Sequence, residues 1–209
     1  MFGRPQHLPD PAEALPGRDE PVYVPGVHRV LGTPMAAPYP EGTEIADFGL
    51  GCFWGAERFF WSVPGVYTTA VGYTGGFTPN PTYQEVCTGM TGHNEVARVV
   101  FFPDQVTYRE LLKVFWEVHD PTQFMRQGND IGTQYRSEIY VASAEQRQQA
   151  EDSRAQYQAR LSAAGFGEVV TTVVDADVWY FAEEYHQQYL DQNPMGYCNH
   201  GFCQVAFDE

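Results

Sequence analysis

Proline is spread so unevenly along this chain that it decides where a regular core can lie. Nine of the fifteen prolines fall within residues 1–43, with Gly17, Gly26, Gly32 and Gly42 scattered between them. Proline fixes φ and lacks a backbone donor, so this stretch can hold neither a helix nor a central strand. It is expected to be an extended arm, wrapped on the domain or partly unfolded. Val22, Tyr23, Val24, Val27, Val30 and Leu31 favour wrapping, because they give it apolar surface to bury. The folded domain is then expected over residues 44–192, with a tail over 193–209. A chain of 209 residues is long enough for one good-sized core.

Beyond the arm, apolar periodicity marks out the elements. Ile45 to Leu50 reads as a short buried strand and Trp54 to Trp61 as a helix. Val66 to Val71 and Val96 to Phe102 read as further strands. Thr107-Tyr108-Arg109-Glu110 is a capping box that starts a helix carrying Tyr108, Leu111, Leu112, Phe115 and His119 on one face, and Pro121 closes it. Ser137 to Ala142 reads as a strand, and a second box, Ser143 to Gln146, starts a polar helix closed by Gly165. Val169 to Val174 is expected to be a strand. A final helix is expected to bury Val178, Phe181, Ala182, Tyr185 and Tyr189 and to end at Asn193-Pro194. The glycine cluster Gly72-Tyr73-Thr74-Gly75-Gly76 lacks a phosphate-loop lysine and is read as a substrate-facing loop.

One junction carries chemistry. In Gly49-Leu50-Gly51-Cys52-Phe53-Trp54-Gly55, a thiol lies where a strand ends and a helix begins. Unpaired backbone N–H groups and the helix dipole favour negative charge there, so Cys52 is expected to ionise below the ~8.5 of an unperturbed cysteine. The glycines permit close approach of another molecule, and Phe53 and Trp54 supply an apolar wall. Glu95 is a carboxyl at the mouth of an otherwise apolar strand; by itself it reads as a solvated strand-end residue. The loop from Thr122 to Gln134 delivers Asp130 and Tyr135 to the start of the next strand. Cys87 reads as a core position and His186 as a structural histidine.

Charge and cysteine usage narrow the function. A net charge of −15 argues against a nucleic-acid groove or an anionic membrane surface. No run approaches the ~18 to 20 apolar residues of a membrane helix, and a cytosolic setting is expected. Four cysteines, Cys52, Cys87, Cys198 and Cys203, are too few and too unevenly spread for a disulfide-stapled scaffold. The remaining readings are redox catalysis, a metal site and plain core positions. No C-x-x-C occurs, which disfavours zinc. Cys198 and Cys203 lie in a glycine-containing tail, where a thiol can reach a distant partner.

Together, Gly51-Cys52-Phe53-Trp54-Gly55, the run Tyr83 to Cys87, Gly92-His93-Asn94-Glu95, the run Gly128 to Ser137 and the run His186 to Leu190 resemble the A-type peptide methionine sulfoxide reductases in order and spacing. The resemblance extends from about residue 44 to the end of the chain. It implies an α+β fold: a two-layer ferredoxin-like split βαβ core with long loops, the extended N-terminal arm and a coiled C-terminal tail. It also implies that Cys52 attacks the sulfoxide sulfur and that Phe53 and Trp54 hold the terminal methyl, which selects the S epimer. Tyr83, Glu95 and Tyr135 would hydrogen-bond the sulfoxide oxygen, with Glu95 as general acid and Asp130 supporting the site. Cys198 would resolve the Cys52 sulfenic acid and pass the disulfide to Cys203. Electrons would come from thioredoxin, with no bound cofactor or metal, and the chain is expected to be a monomer.

Two rival readings have distinct signatures. A Cys–His acyl hydrolase would pair Cys52 with His93 or His186 and would need an oxyanion hole. A metal-stabilised module would hold peptides on its aromatic surface and carry stoichiometric zinc.

Overall fold

The computed structural model of the chain describes residues 6–198 and 202–208. After a 3-10 turn at Pro11–Glu13, the elements are β1 Glu44–Leu50, α1 Phe53–Trp61, β2 Val66–Thr74, α2 Tyr83–Cys87, β3 Asn94–Phe101 and α3 Tyr108–Glu117. Then come β4 Arg126–Gln127, β5 Asp130–Ile131, a 3-10 turn Thr133–Tyr135, β6 Ser137–Val141 and α4 Ala144–Ala163. The chain continues through β7 Thr172–Asp175, β8 Tyr180–Phe181, a 3-10 turn Glu184–His186 and α5 Tyr189–Gln192. The fold is mixed α/β, with a central mixed sheet.

Six strands form that sheet in the order β7-β6-β1-β3-β2-β8. Every pairing is antiparallel except β6 with β7. A parallel neighbour needs a long crossover, and the 20 residues of α4 provide it. Alternation along the strands sorts the two faces. Ala46, Phe48, Leu50, Ala97, Val99, Phe101 and Ile139 point to one face, where α1, α3 and α4 cover them with Phe60, Leu111, Phe115, Trp116 and Tyr157. Phe48 stacks on Phe60 with ring centroids 4.9 Å apart. Truncating a buried phenylalanine of this kind typically costs about 3–5 kcal/mol.

The opposite face is polar and has different cover. Asp47 and Arg98 are register partners joined by bonds of 2.9 and 2.7 Å, and Trp179 lies 4.3 Å from the guanidinium. From Leu15 onward the arm wraps the domain. Leu15 donates its N–H to Met90 O, Arg18 pairs with Glu85 at 2.8 Å, and His28 and Met35 are buried.

Several sequence expectations need correction. β2 runs on to Thr74, and Gly75 and Gly76 pack against Tyr140 and His93 rather than facing a cavity. The stretch 83–87, for which the sequence suggested no element, is α2, started by a Thr82–Glu85 capping box. The second expected box is half made: Ser143 accepts from Gln146 N, but the Gln146 side chain accepts from Ala142 N and donates to Ile45 O.

The final helix expected over 178–193 does not form. Tyr180 and Phe181 pair instead with the open edge of β2, and Val178 and Tyr185 are exposed. The Gln187 side chain then bonds both the N–H and the carbonyl of Val71, taking a strand's place, and Gln188 adopts φ +48. Only one α-helical turn, α5, remains, preceded by the 3-10 turn Glu184–His186. An edge strand's unpaired backbone outweighed the local helical period.

Candidate active site

Only Gly51 and Cys52 separate β1 from α1. Gly51 has φ +98, a left-handed conformation that glycine adopts without a Cβ clash. The turn makes Cys52 the N-cap residue of α1, and it is 7% exposed. Burial, and after it the charge of Glu95, holds the thiol well above its ordinary pKa; the N–H groups of Trp54 and Gly55 pull the other way and lose. The expectation of a thiol ionising below the normal range is therefore corrected. The helix-terminus effect exists, but desolvation outweighs it. The Cys52 thiol and the Glu95 carboxyl are thus electrostatically coupled.

Glu95 is not a solvated strand end. It is the second residue of β3, lies on the helix-covered face and is buried. Its Oε2 accepts the Phe53 N–H at 3.1 Å, which fastens the carboxyl to the first turn of α1. Its neighbour Asn94 donates to Arg136 O and packs against Gly49, where a Cβ would collide with the asparagine amide.

Tyr83 arrives on α2, Asp130 on β5 and Tyr135 on the 3-10 turn after it. Arg136 pins the surrounding loops, donating to Gly92 O, Thr133 O and Gly75 O. These side chains converge with Cys52, Phe53, Trp54 and Glu95 on one cavity of about 60 Å³. That is roughly two water volumes, enough for a small polar head such as a methylsulfinyl group. Burial, and then the Glu95 charge, raises the phenols of Tyr83 and Tyr135 far above their usual range, so both are neutral donors. A larger groove of about 660 Å³ lies at the other end of β1, between the N-termini of α3 and α4, and holds no cysteine.

Two cavity-side residues were missed in the sequence. Tyr197 lines the cavity, and its hydroxyl donates to Asp130 Oδ1 at 3.1 Å. Tyr189 stacks on Trp54 with centroids 3.9 Å apart. An aromatic beside a tail cysteine and one near His186 were the available signals.

All four cysteines are reduced, with no disulfide between any of them. Cys198 is exposed and adjoins Tyr197, one residue from the cavity wall. Cys87 is only half-buried, not a core position. Cys203 is not brought to the cavity. It is docked in the main core with Tyr157 and Phe207, and its thiol donates to Asp120 Oδ1 at 3.3 Å. Burial and the Asp120 charge push it up to about 12.

The hydrolase geometry is not present. His93 Nε2 bonds Thr78 O and His186 Nδ1 accepts from Trp54, and neither ring lines the cavity. Among the described residues no cluster of three His, Cys, Asp or Glu could hold a metal.

Proton donors gathered around a buried sulfur serve a reaction in which oxygen must leave, and spare thiols on the tail serve one in which electrons must be replaced. Fold and site together define a thiol-dependent oxidoreductase. The peptide methionine sulfoxide reductase family model matches residues 44–206. The peptide methionine sulfoxide reductase MsrA of Azotobacter vinelandii is 64% identical over 194 residues, covering 93% of this chain and 90% of that protein. MsrA 1 of Synechocystis is 61% identical over 99% of this chain and 93% of its own length. The solved methionine sulfoxide reductase A of Corynebacterium diphtheriae superposes with a TM-score of 0.86 at 46% identity, covering 95% and 99% of the two chains. The chain belongs to the A-type peptide methionine sulfoxide reductase family and is an enzyme that reduces methionine sulfoxide.

Proposed function

We propose that the chain reduces the S epimer of methionine sulfoxide, in oxidised proteins and as the free amino acid, through Cys52. The observation that carries this reading is the convergence of Cys52, Glu95, Tyr83 and Tyr135 on one small cavity walled by Phe53 and Trp54. The methyl sits against Phe53 and Trp54, and the oxygen faces the two phenols and Glu95. That leaves the sulfur facing Cys52 in one epimer only.

Sulfoxide oxygen leaves only when protonated, and Glu95 gives it the proton. The Cys52 thiol gives its own proton to Glu95 in exchange, and its sulfur attacks the sulfoxide sulfur. The substrate S–O bond then breaks as the hydroxyl passes to Cys52 sulfur, the transient S–S bond breaks, and methionine departs with its sulfur reduced by the two electrons that Cys52 loses. The oxygen stays on Cys52 as a sulfenic acid. Asp130 orients the site through Tyr197. The Cys198 thiol then displaces the sulfenic oxygen as water, giving a Cys52–Cys198 disulfide. Cys203 thiolate displaces Cys52 to give Cys198–Cys203, which requires the tail to leave its seat by Asp120. A thioredoxin-type dithiol reduces that disulfide and is itself oxidised. The yeast protein Mxr1 has been solved in complex with Trx2. No prosthetic group takes part.

The same reading takes residues 1–43 as a wrapping arm, 44–192 as the catalytic domain and 193–209 as a recycling tail, in a cytoplasmic monomer. The strand order β6-β1-β3-β2, linked by α1 and α3, supports a ferredoxin-like split βαβ core. Among the described residues no helix is long and apolar enough to cross a membrane. The test is turnover of separated S and R epimers with thioredoxin, its reductase and NADPH. Oxidation of NADPH with the S epimer alone supports the reading; equal rates with both epimers refute it.

A further inference from the structure

Trp54 forms one wall of the cavity, and two contacts of different kinds hold it. The Tyr189 ring stacks on the indole at 3.9 Å and 18°. Stacking fixes the plane of the indole but leaves it free to slide and turn within that plane. The second contact removes that freedom: the indole N–H donates to His186 Nδ1 at 2.9 Å.

An indole nitrogen is a donor only, so Nδ1 must accept and the neutral ring must carry its proton on Nε2. The Glu183 carboxylate faces that position, with Oε2 3.8 Å from Nε2. This is beyond a direct hydrogen bond but close enough to favour a proton there. Glu183 is itself fixed by the Tyr83 N–H at 2.9 Å and the Tyr73 hydroxyl at 3.1 Å. The His186 ring also packs on Phe53 and Tyr83, at centroid distances of 5.1 and 4.6 Å. The support is tied to the helix it supports. Glu57, one turn after Trp54, accepts from the Gln188 N–H at 2.7 Å and from the Gln188 amide at 2.7 Å.

We propose that His186, as the acceptor of the indole N–H, is a positioning residue that locks the in-plane angle of the Trp54 indole and thereby sets how tightly the cavity holds the substrate's methyl group. Burial keeps the imidazole down at about 4, so it accepts throughout the neutral range. This inference rests on the reading of Trp54 as the methyl wall. His186 makes no hydrogen bond to the thiol or to the oxygen donors and meets Tyr83 only through its ring face, a packing contact that leucine can keep. Loss of its acceptor therefore falls on substrate affinity and spares the chemical step.

The test compares His186→Leu, which fills the space without an acceptor, with His186→Asn, whose Oδ1 can occupy the Nδ1 position. Each is made in the wild type and in Trp54→Phe. Kinetics on S-methionine sulfoxide with dithiothreitol as reductant keep thioredoxin out of the measurement. His186→Leu is expected to raise KM roughly tenfold with kcat within about twofold, and His186→Asn to recover most of that loss. In Trp54→Phe, which has no indole N–H, His186→Leu adds no further change in KM. The ¹⁵N-labelled indole resonance that disappears in Trp54→Phe reports the contact without catalysis. Its proton should shift upfield and exchange faster in His186→Leu, and return in His186→Asn.

An unshifted indole resonance in His186→Leu overturns the inference, as does an equal KM loss in the Trp54→Phe background. A shifted resonance with an unchanged KM overturns it too, by separating the contact from affinity. If Trp54→Phe and Trp54→Ala both leave KM unaltered, the methyl-wall reading fails first, and the inference with it.

Discussion

Replacing Glu95 with glutamine gives two readouts that move in opposite directions. The side chain is buried, so glutamine keeps its volume and can still accept the Phe53 N–H. It cannot give a proton to the sulfoxide oxygen. The groups left beside that oxygen are the phenols of Tyr83 and Tyr135, which burial has made poorer acids than free tyrosine. The loss therefore belongs in the upper part of the usual range for a general acid, ~10³ to 10⁴ in the single-turnover rate, or about 4–5 kcal/mol of barrier.

The same substitution removes the charge that, after burial, most strongly opposes Cys52 ionisation. The Cys52 thiol should then titrate at lower pH than in the wild type. The assay is rapid-quench production of methionine without added reductant, beside thiolate absorbance as a function of pH in variants that retain only Cys52. A slower enzyme with a more acidic thiol is the expected pair of results. An unchanged single-turnover rate would remove Glu95 from the mechanism, and an unchanged or raised thiol pKa would refute the coupling.

Cys198→Ser should still make one methionine per enzyme but stall when thioredoxin is the reductant; sustained multiple turnover would argue against its resolving role. Glu57 yields a stability prediction. Burial raises its carboxyl from 4.5 to about 7, against the hydrogen bonds from Gln188 and Thr69. A raised carboxyl favours the folded state fully below the unfolded value and loses that contribution as pH rises through the folded one. Between pH 4.5 and 7 the wild type should thus lose about 3 kcal/mol relative to Glu57→Gln. His28, with Nε2 3.9 Å from Glu57 Oε1, titrates in the opposite sense, from 6.5 down to about 4. Denaturant unfolding of both proteins across this range checks the slope, and a flat difference contradicts it.

The parts of the fold that sequence reveals are those set by local chemistry. The β1–Cys52–α1 join shows in the switch from a strand-like run to a helical period. The α3 start shows in its threonine and glutamate, and α2 carried the same signal at Thr82 and Glu85, unread. What stayed hidden depends on partners far along the chain. Residues 178–189 have a helical apolar period, yet the open edge of β2 draws Tyr180, Phe181 and the Gln187 amide into the sheet. The Cys52 pKa was misjudged for the same reason. A helix N-terminus is visible in sequence, while the burial and the carboxylate that overcome it come from β3 and the loops. Tyr197 and the Asp120 seat of Cys203 likewise depend on where the tail lies. Four of the five motifs that carry the family resemblance supply residues of one cavity, and the fifth, His186 to Leu190, backs its Trp54 wall.

The most direct test mixes fully reduced protein with excess S-methionine sulfoxide in the absence of reductant, then counts methionine formed and thiols lost, with Cys52→Ser as the control. The account predicts about one equivalent of methionine or slightly more, with at least two thiols consumed, both dependent on Cys52. No methionine and an intact thiol count would contradict it.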